Sequence, residues 1–503
     1  MDSRAASGGM ARRTFLAASL SGIAAVALSS CSWPDARPSP SASPSATPTP
    51  TPTPTPLPPD GVPLPTAMRR SSWGSDPFAR GAFSYDAVGT TTSLRQSLAE
   101  PVGERLWIAG EACSATDPGT LTGARDSGLA AAEQVARIAE PGERVAVIGA
   151  GIAGLTAAVH LVDAGFEVVV VEARDRVGGR VWSVEVDGFD RPVELGPVLV
   201  PDDEPMAEAL RAASVDTVEF DGVVEARTSE GVAVAIPPTG VDAVDAARAW
   251  ADAAPEDVSL AAALVGSGTV PMSTVPGPDE VSPASWLAHT IASGVQPATG
   301  APSSAVSART VPTTAFPSGS QLVTGRLSDL LDALADRVDI AVSSVVTRVA
   351  HDDRRVSLRL DSGESLTADR AIVTVPIGVL KSDTLRFSPV LPFAHQRAIA
   401  RLETGVVDVV WLRFEEAFWR SGSPAGAATP DGADGLAAAP DVLTVVGEPS
   451  TVAAWLDLGR ETGEPILVGV IAATQATRLE ALDDPEFQSA ILADLAPYAT
   501  ARG

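Results

Sequence analysis

One segment, from Arg144 to Glu172, restricts the fold of this 503-residue chain more than any other. An apolar run over residues 144–148 leads into a Gly-Ala-Gly-Ile-Ala-Gly turn, and an alanine-rich stretch continues to Gly165. A second apolar run over residues 166–171 then ends at the acid Glu172. Strand, glycine-rich turn, helix, strand and acid, in this order, are typical of a βαβ unit that binds a dinucleotide. The sequence therefore predicts an α/β fold with a doubly wound, Rossmann-like domain.

Each part of this unit has a physical role in the prediction. Gly149 allows the tight turn, Gly151 lets the backbone approach a pyrophosphate, and Gly154 lets helix and strand pack closely. The N-terminus of the helix offers N–H groups and the positive end of its dipole to the phosphates. Glu172 is placed to accept the hydroxyls of the ribose. The unit by itself does not choose between NAD and FAD.

The residues that follow the acid favour FAD. Residues 172–180 read Glu-Ala-Arg-Asp-Arg-Val-Gly-Gly-Arg, Glu-Leu-Gly follows at residues 194–196, and a strand-and-turn segment lies at residues 371–380. This series resembles the flavin amine oxidase family, which includes the flavin-containing monoamine and polyamine oxidases. In that family the ribose acid is followed by an arginine, a Gly-Gly turn and a second arginine near the FAD phosphates. The resemblance implies FAD contacts at Arg174, Gly178, Gly179, Arg180, Gly196 and, through its backbone, Val345.

The family's segments occur in a changed order in this chain. The last FAD-contacting segment of the family lies near its C-terminus, whereas the matching residues here precede the glycine turn. Residues 73–85 resemble its Trp…Gly-x-aromatic-Ser block, residues 106–111 its flavin strand, and residues 119–124 the start of its flavin helix. The resemblance therefore implies a circular permutation. It adds cofactor contacts at Trp73, Gly110, Glu111, Thr120 and Leu121.

The permutation predicts a local geometry. A strand over residues 105–109, a helix over 120–138 and a strand over 144–148 would form a β-α-β unit. A right-handed crossover would place both strands in one parallel sheet. The two new ends, near Ile491 and before Trp73, are expected to be neighbours. A scrambled gene or a truncated pair of domains is the alternative, and permutation is favoured because no motif is duplicated and none is missing.

The resemblance also implies the chemistry. In the family the substrate amine lies over the flavin, and a hydride passes from its α-carbon to flavin N5 in a largely apolar site. Two aromatic residues often flank that path. Phe83 occupies one of these positions and Thr120 the other, which makes them the candidate catalytic residues. Ala82 stands where some members carry a cysteine bonded to FAD, so the resemblance implies non-covalent FAD.

Lysine usage departs from the family pattern. Many family oxidases hold a lysine near flavin N5 that assists the reaction with oxygen, and the matching position here is Val409. Lys381 is the only lysine of the chain, and its place in the sequence does not match that position. We therefore expect slow reoxidation by oxygen, or another electron acceptor.

The first 66 residues have the features of a targeting sequence and a linker. Residues 1–31 carry a basic start, an apolar run and Leu-Ser-Ser-Cys, which predicts a lipoprotein signal peptide with lipidation at Cys31. The arginine pair before Phe15 resembles a twin-arginine export signal. Residues 32–66 are rich in Pro, Ser and Thr and predict a polyproline II linker. The expected location is the outer face of a bacterial cell membrane, with a plain secretory signal or an uncleaved anchor as alternatives.

Charge and composition exclude some partners. The formal net charge is -27, which argues against nucleic acid and anionic lipid surfaces. Two cysteines and four scattered histidines show no metal-ligand spacing, so no metal is expected. The expected partners are a small-molecule amine, an electron acceptor and, through the lipid anchor, a membrane.

Two domains follow from the motif positions. Residues 67–220 and 317–382 are assigned to the FAD-binding domain, and residues 221–316 and 383–503 to an α+β substrate domain. The favoured function is FAD-dependent oxidation of a primary or secondary amine or an amino acid. An FAD-dependent dehydrogenase or desaturase acting on a non-amine substrate and a non-catalytic flavin-binding surface lipoprotein are the alternatives.

Overall fold

The structure is a computed structural model that describes residues 61–420, 440–447 and 449–499. The predicted signal peptide, Cys31 and nearly all of the predicted linker lie outside the described residues. Within the described part of the chain, no helix combines the length and the apolarity needed to cross a bilayer.

The strands, in chain order, are β1 (Ala67–Arg70), β2 (Phe83–Tyr85), β3 (Leu106–Ile108), β4 (Arg144–Ile148), β5 (Glu167–Val171), β6 (Ser183–Val184), β7 (Val193–Glu194), β8 (Leu199–Val200), β9 (Thr217–Phe220), β10 (Val224–Thr228), β11 (Ala233–Val234), β12 (Ser320–Val323), β13 (Asp339–Ala341), β14 (Val346–His351), β15 (Val356–Leu360), β16 (Ser365–Ala368), β17 (Arg370–Val373), β18 (Arg386–Ser388), β19 (Glu403–Gly405), β20 (Val407–Arg413), β21 (Val442–Val446), β22 (Ala454–Asp457) and β23 (Ile466–Ala472). The helices are α1 (Thr92–Ala99), α2 (Leu121–Ile138), α3 (Ile152–Asp163), α4 (Glu204–Ala212), α5 (Thr239–Ala253), α6 (Leu260–Gly266), α7 (Pro283–Thr290), α8 (Gln296–Thr299), α9 (Ser328–Ala335), α10 (Ile377–Leu380), α11 (Phe393–Arg401), α12 (Gly459–Thr462), α13 (Ala473–Glu480), α14 (Asp484–Leu492) and α15 (Ala496–Ala499).

A parallel five-stranded sheet forms the centre of the predicted dinucleotide-binding part. Its strand order is β13-β5-β4-β17-β3, and every neighbouring pair is parallel. The inner strands are apolar along their length because helices and other strands bury both faces of such a sheet. The prediction that β3 and β4 share one parallel sheet is confirmed. They are not adjacent, however, because β17 lies between them.

The helices α2 and α3 pack closely against each other beside this sheet. A Cβ built on Gly128 of α2 would lie 2.1 Å from the carbonyl oxygen of Ala153 in α3, so only glycine permits this approach. The side chains of Ala131, Ala132 and Ala157 are buried in the same core cluster. Small residues on the two helices thus allow them to approach each other closely.

A seven-stranded sheet forms a second layer, in the order β1-β20-β23-β22-β21-β10-β11. Two smaller sheets have the strand orders β8-β12-β9 and β16-β15-β14-β18. The strands β20 and β23 are almost wholly buried, which explains their apolar sequences. The walls of the candidate site come from both large sheets.

The assigned domain boundaries do not coincide with sheet membership at three places. At one of them, β2 of residues 67–220 pairs antiparallel with β19 of residues 383–503. β1 was assigned with residues 67–220, but it pairs antiparallel with β20 of the seven-stranded sheet. β18 was assigned with residues 383–503, but it pairs parallel with β14, and the following helix α11 buries Ala398 in the core of that region. These pairings join strands that are far apart in the sequence, so motif positions alone do not reveal them. The two-domain division itself stays a prediction.

The two ends of the described globular part lie side by side. Val62 is buried in the same apolar cluster as Tyr498 and Ala499. The guanidinium group of Arg70 donates to the carbonyl of Leu479 at 3.1 Å, next to the end of α13. The predicted proximity of the ends is therefore observed among the described residues, whereas the permuted order itself remains a prediction.

Candidate functional site

A cavity of about 780 Å³ lies at the carboxyl ends of the parallel strands. Gly149 follows β4, Glu172 follows β5, Thr374 follows β17 and Gly110 lies just after β3, and all four line this cavity. Ligands of open α/β sheets bind at this edge because the loops after the strands converge there. The volume is in the range of pockets that hold cofactors and drug-sized ligands.

The cavity brings together the predicted site residues from both sides of the glycine turn. The predicted residues that line it are Trp73, Phe83, Gly110, Glu111, Thr120, Leu121, Gly149, Gly151, Glu172, Arg174, Gly178, Gly179, Arg180, Gly196 and Val345. Gly154 is not on the wall. A Cβ at Gly154 would lie 1.9 Å from the carbonyl oxygen of Gly149, so this glycine permits the close packing that the sequence predicted.

The glycine turn leaves a cradle at the start of α3. Gly149 has a φ of 109°, a backbone conformation that L side chains rarely adopt. A Cβ at Gly151 would lie 3.9 Å from the carbonyl oxygen of Gly178, at ordinary contact distance, so the space beside it is open to the cavity. Among the described residues, no side chain caps the N-terminus of α3, whose N-cap is Gly151. Free N–H groups beside open space fit the phosphates of a dinucleotide.

Glu172 is buried at the end of β5 and faces the cavity. Its Oε2 accepts a hydrogen bond from the backbone N–H of Ala150 at 2.7 Å, and its Oε1 accepts one from Arg174 at 2.8 Å. These bonds fix the carboxylate against the glycine turn. Each oxygen keeps a further lone pair, which suits the predicted contact with ribose hydroxyls.

Glu111 is the centre of a buried polar network at the other end of the cavity. The backbone N–H and hydroxyl of Ser84, the N–H of Gly119 and the guanidinium of Arg180 all donate to its carboxylate, at 2.6–3.3 Å. Burial favours the neutral acid, but Arg180, Ser84 and Arg95 outweigh it and lower the pKa of Glu111. Glu111 therefore stays ionised and joins three separate segments of the wall.

The comparisons with known proteins decide the family. The family model described as flavin containing amine oxidoreductase matches residues 55–136, 152–258 and 303–500, which make up more than half of the chain. The chain belongs to this family. It is an FAD-dependent amine oxidoreductase, and the cradle at Gly151 and the free N-terminus of α3 fit that cofactor.

Similar proteins agree with this assignment. Polyamine oxidase 3 of Oryza sativa subsp. japonica is 27% identical over 360 residues, covering 67% of this chain and 69% of that protein. Polyamine oxidase 2 of Arabidopsis thaliana is 28% identical over 367 residues, covering 68% and 69%. A structure of a redesigned putrescine oxidase covers 71% of this chain and 82% of that chain, with a TM-score of 0.54 and 22% identity. This last likeness shows the fold alone.

The turn at Gly178 and Gly179 of this amine oxidoreductase depends on an arginine to which the sequence assigned no role. Gly178 and Gly179 both have positive φ values, 102° and 62°. The guanidinium of Arg176 donates to the carbonyls of Val177, Gly179 and Val181 and so braces the turn. Burial, and then the positive charge of a neighbouring arginine, lower the pKa of Arg176 to about 10. Its position between two predicted FAD contacts was the available signal.

The two candidate catalytic residues lie on the cavity wall, with different surroundings. Phe83 is half-buried in β2, which pairs with β19. Thr120 is the N-cap of α2: its hydroxyl donates to the carbonyl of Asp117 at 2.8 Å and accepts from Gly123 N–H at 2.9 Å. That hydroxyl is therefore already engaged in capping. A direct role of either residue in the reaction stays a prediction.

The flavin side of the cavity carries no cysteine among the described residues that line it. Ala82 is on the wall and accepts a hydrogen bond from Arg180 through its carbonyl. Cys113 is buried, and its thiol points to the carbonyl of Ile108. These positions fit the non-covalent FAD expected from the resemblance.

The remaining wall is mostly apolar and drawn from distant parts of the chain. The sequence did not assign Phe316, Leu385, Val407, Leu456 and Val470, for which no local motif gives a signal, or Phe78, which lies within the block of residues 73–85. Val409 lies among them, as its family position implied. Three large side chains of this region, Trp411, Trp419 and Trp455, are buried in core clusters and do not line the cavity. Lys381 pairs with Glu403 at 2.6 Å, outside the wall.

Proposed function

We propose that this protein oxidises a primary or secondary amine by hydride transfer from the α-carbon to the flavin. The observation that carries the proposal is a continuous cavity with the glycine cradle in one part and a largely apolar wall in another. Phe83, Phe316 and Val409 belong to that wall. Similar proteins named as polyamine oxidases support an amine substrate.

The wall residues act by excluding water and orienting the amine. Bound FAD supplies the hydride acceptor. An apolar environment disfavours an ammonium ion, so Phe83 and Phe316 favour the neutral amine whose lone pair assists departure of the hydride. Glu111 and Arg180 are already bound to each other at 2.9 Å, and they hold the wall in place.

An exposed acid on the same wall favours a second amino group in the substrate. Asp202 lines the cavity and is exposed, whereas Glu111 and Glu172 already accept several hydrogen bonds. An exposed carboxylate attracts an ammonium ion at low energetic cost because neither group loses its water completely. We therefore propose a diamine or polyamine, with the reacting amine inside and a second ammonium near Asp202.

Anaerobic titration with a panel of amines tests this function. Diamines and polyamines are expected to bleach the flavin absorbance at lower concentrations than monoamines of equal chain length, and amino acids to bleach it least. The readout is the absorbance of oxidised flavin without oxygen present. Bleaching by no amine of the panel, from a protein that retains its flavin, would contradict the proposal.

The electron acceptor is the next proposal. We propose that oxygen reoxidises the reduced flavin slowly, because Val409 supplies no cation at the position of the family lysine. A Val409→Lys variant is expected to react with oxygen at least about tenfold faster, a change of roughly 1.4 kcal/mol in the barrier. Stopped-flow reoxidation measures this rate. Val409→Met, long but uncharged, is the matched control and should stay near wild type, and a wild-type rate equal to that of the lysine variant would refute the idea.

We also propose export and lipid anchoring through Cys31. The support is the sequence alone: the basic start, the apolar run and the Leu-Ser-Ser-Cys motif. Membrane fractionation of a Cys31→Ala variant tests it, since an anchored protein should move to the soluble fraction when this residue is replaced.

A further inference from the structure

Two carboxyl groups lie together behind the cavity wall. Asp408 in β20 is 4% exposed, and its Oδ1 accepts hydrogen bonds from the hydroxyl of Ser71 at 2.7 Å and the N–H of Trp73 at 2.8 Å. Its Oδ2 is buried and meets no donor within the described residues. The next backbone N–H along the chain, that of Gly74, donates to the carboxyl of Glu480 at the end of α13 at 2.7 Å. The two carboxyl groups thus accept from adjacent backbone N–H groups, which brings them close together.

A single proton held between the carboxyl groups of Asp408 and Glu480 explains why they lie so close together. Two ionised carboxylates offer only acceptors, so neither can satisfy the other, whereas one protonated group can donate to its neighbour. Burial, and then the interaction with Glu480, raise the pKa of Asp408 to about 7. The neighbouring cation of β1, Arg70, is bound to the Leu479 and Leu482 carbonyls and to an exposed carboxylate at 2.9 Å. The guanidinium of Arg70 therefore binds these groups beside the pair of carboxyl groups.

The pair holds two residues of the cavity wall. Ser71 donates its hydroxyl proton to Asp408, and the same oxygen accepts the backbone N–H of Val409 at 3.0 Å. Trp73 is bound to Asp408 through its N–H and to the carbonyl of Leu195 through its indole at 2.8 Å. Both Val409 and Trp73 line the cavity. A change in the charge of the pair can therefore shift Trp73, which is bound to Asp408 directly, and Val409, which is bound to it through Ser71.

We propose that Asp408 and Glu480 share one proton and act as positioning residues that hold Trp73 and Val409 on the wall of the FAD cavity. Loss of the shared proton places two negative charges in a poorly solvated site, where they repel each other. The segment that begins at Ser71 then moves away from β20, and the cavity binds FAD less tightly. The inference concerns the cofactor cavity and is independent of which amine is the substrate.

A variant that copies the protonated state tests the proposal. In Asp408→Asn the amide oxygen accepts the bonds of Oδ1, and the amide nitrogen replaces Oδ2 and donates to Glu480. FAD is titrated into apo-protein by fluorescence quenching, and the melting temperature of the apo-protein is recorded, from about pH 5 to about pH 9. Wild type is expected to lose about tenfold in FAD affinity as the pH rises through 7, a change of 1.4 kcal/mol. Asp408→Asn should show no such loss.

The sign of the effect on stability follows from linkage. The carboxyl of Asp408 has an ordinary pKa of 3.8 and a higher one in the folded protein, so the folded state binds the proton more tightly. This contribution to stability is present at low pH and is lost as the pH rises through about 7. Glu194 and Asp494 also have raised pKa values, about 7 and about 6, because of burial. They affect wild type and variant alike, so the difference between the two proteins is the readout.

Two further variants make the outcome decisive. Glu480→Gln removes the second charge and should flatten the pH profile as Asp408→Asn does. Asp484→Asn alters a largely exposed carboxylate beside Arg70 and should keep the wild-type profile. If FAD affinity and melting temperature depend on pH in Asp408→Asn as they do in wild type, the proposal of a shared proton is wrong. A wild-type FAD affinity that does not change with pH, despite a flattened melting profile in the variant, would overturn the positioning role.

Discussion

A Gly151→Val variant is expected to fold as the wild type does and to bind FAD at least about 100-fold more weakly, or roughly 2.7 kcal/mol. Gly151 has a φ of -80°, which any residue adopts, and a Cβ there would meet its nearest protein atom only at 3.9 Å. The added side chain therefore projects into the cradle at the start of α3. It would separate the N–H groups of the helix from the cofactor phosphates, while the protein around it stays undisturbed.

Two measurements on purified protein check this result. The flavin absorbance after purification reports retention, and chemical denaturation of the apo-protein should give a free energy of unfolding within about 0.5 kcal/mol of wild type. Gly154→Ala is the matched contrast, because its Cβ would lie 1.9 Å from a backbone oxygen and should destabilise the apo-protein. Normal FAD retention in Gly151→Val would mean that the glycine turn does not hold the phosphates.

Replacement of Glu111 by alanine is expected to lower the free energy of unfolding by about 3–5 kcal/mol and to reduce FAD retention. The carboxylate accepts bonds from the buried Ser84 and from the partly buried Gly119 and Arg180, and its removal leaves these donors without their acceptor. Three wall segments lose their common partner at once. Urea denaturation of apo-protein and the flavin content measure the two effects.

The pH dependence of this effect has a definite sign. The ordinary pKa of a glutamate is 4.5, and that of Glu111 is lower in the folded protein, because Arg180 and Ser84 outweigh the opposing effect of burial. The stability it contributes is present above pH 4.5 and is lost as the pH falls through the lowered value. The glutamine of Glu111→Gln cannot ionise. The difference in the free energy of unfolding between wild type and this variant should therefore become smaller at acid pH.

A surface ion pair provides the control for Glu111. Glu133 and Arg137 pair on the exposed side of α2 at 3.7 Å, with about half of each side chain in solvent. Glu133→Ala should change the free energy of unfolding by less than about 0.5 kcal/mol. Equal losses for Glu111→Ala and Glu133→Ala would contradict the importance of the buried network.

Local pattern was sufficient for the glycine turn and its flanking elements. The sequence predicted a strand over 144–148, which is β4, and a helix over 120–138, which starts one residue later as α2. The tight turn after β4 requires a positive φ at Gly149. The first turn of α3 packs against the backbone of that turn, which leaves no room for a side chain at Gly154. Such features depend on neighbours a few residues away, so a single sequence contains them.

The resemblance to a family extended this prediction to residues that local pattern does not reach. It brought Gly110 and Glu111 to the same cavity as the glycine turn, although they precede that turn in the chain. It also placed Val409 on the wall. It gave no partners for Glu111 and no role for Arg176, because those depend on side-chain geometry rather than on motif positions.

The sequence by itself determined the dinucleotide-binding unit, the kind of cofactor and the residues of the glycine turn, the Gly-Gly turn and the Gly110-Glu111 segment around it. Only the tertiary structure decided that β17 lies between β3 and β4, that β1 joins the seven-stranded sheet, and that Asp408 meets Glu480. The physical reason is the separation along the sequence of the residues that must come into contact. Turns and helices form from contacts between near neighbours. Strand order and buried carboxyl pairs instead require the relative register of segments far apart in the sequence, which packing of the whole chain selects.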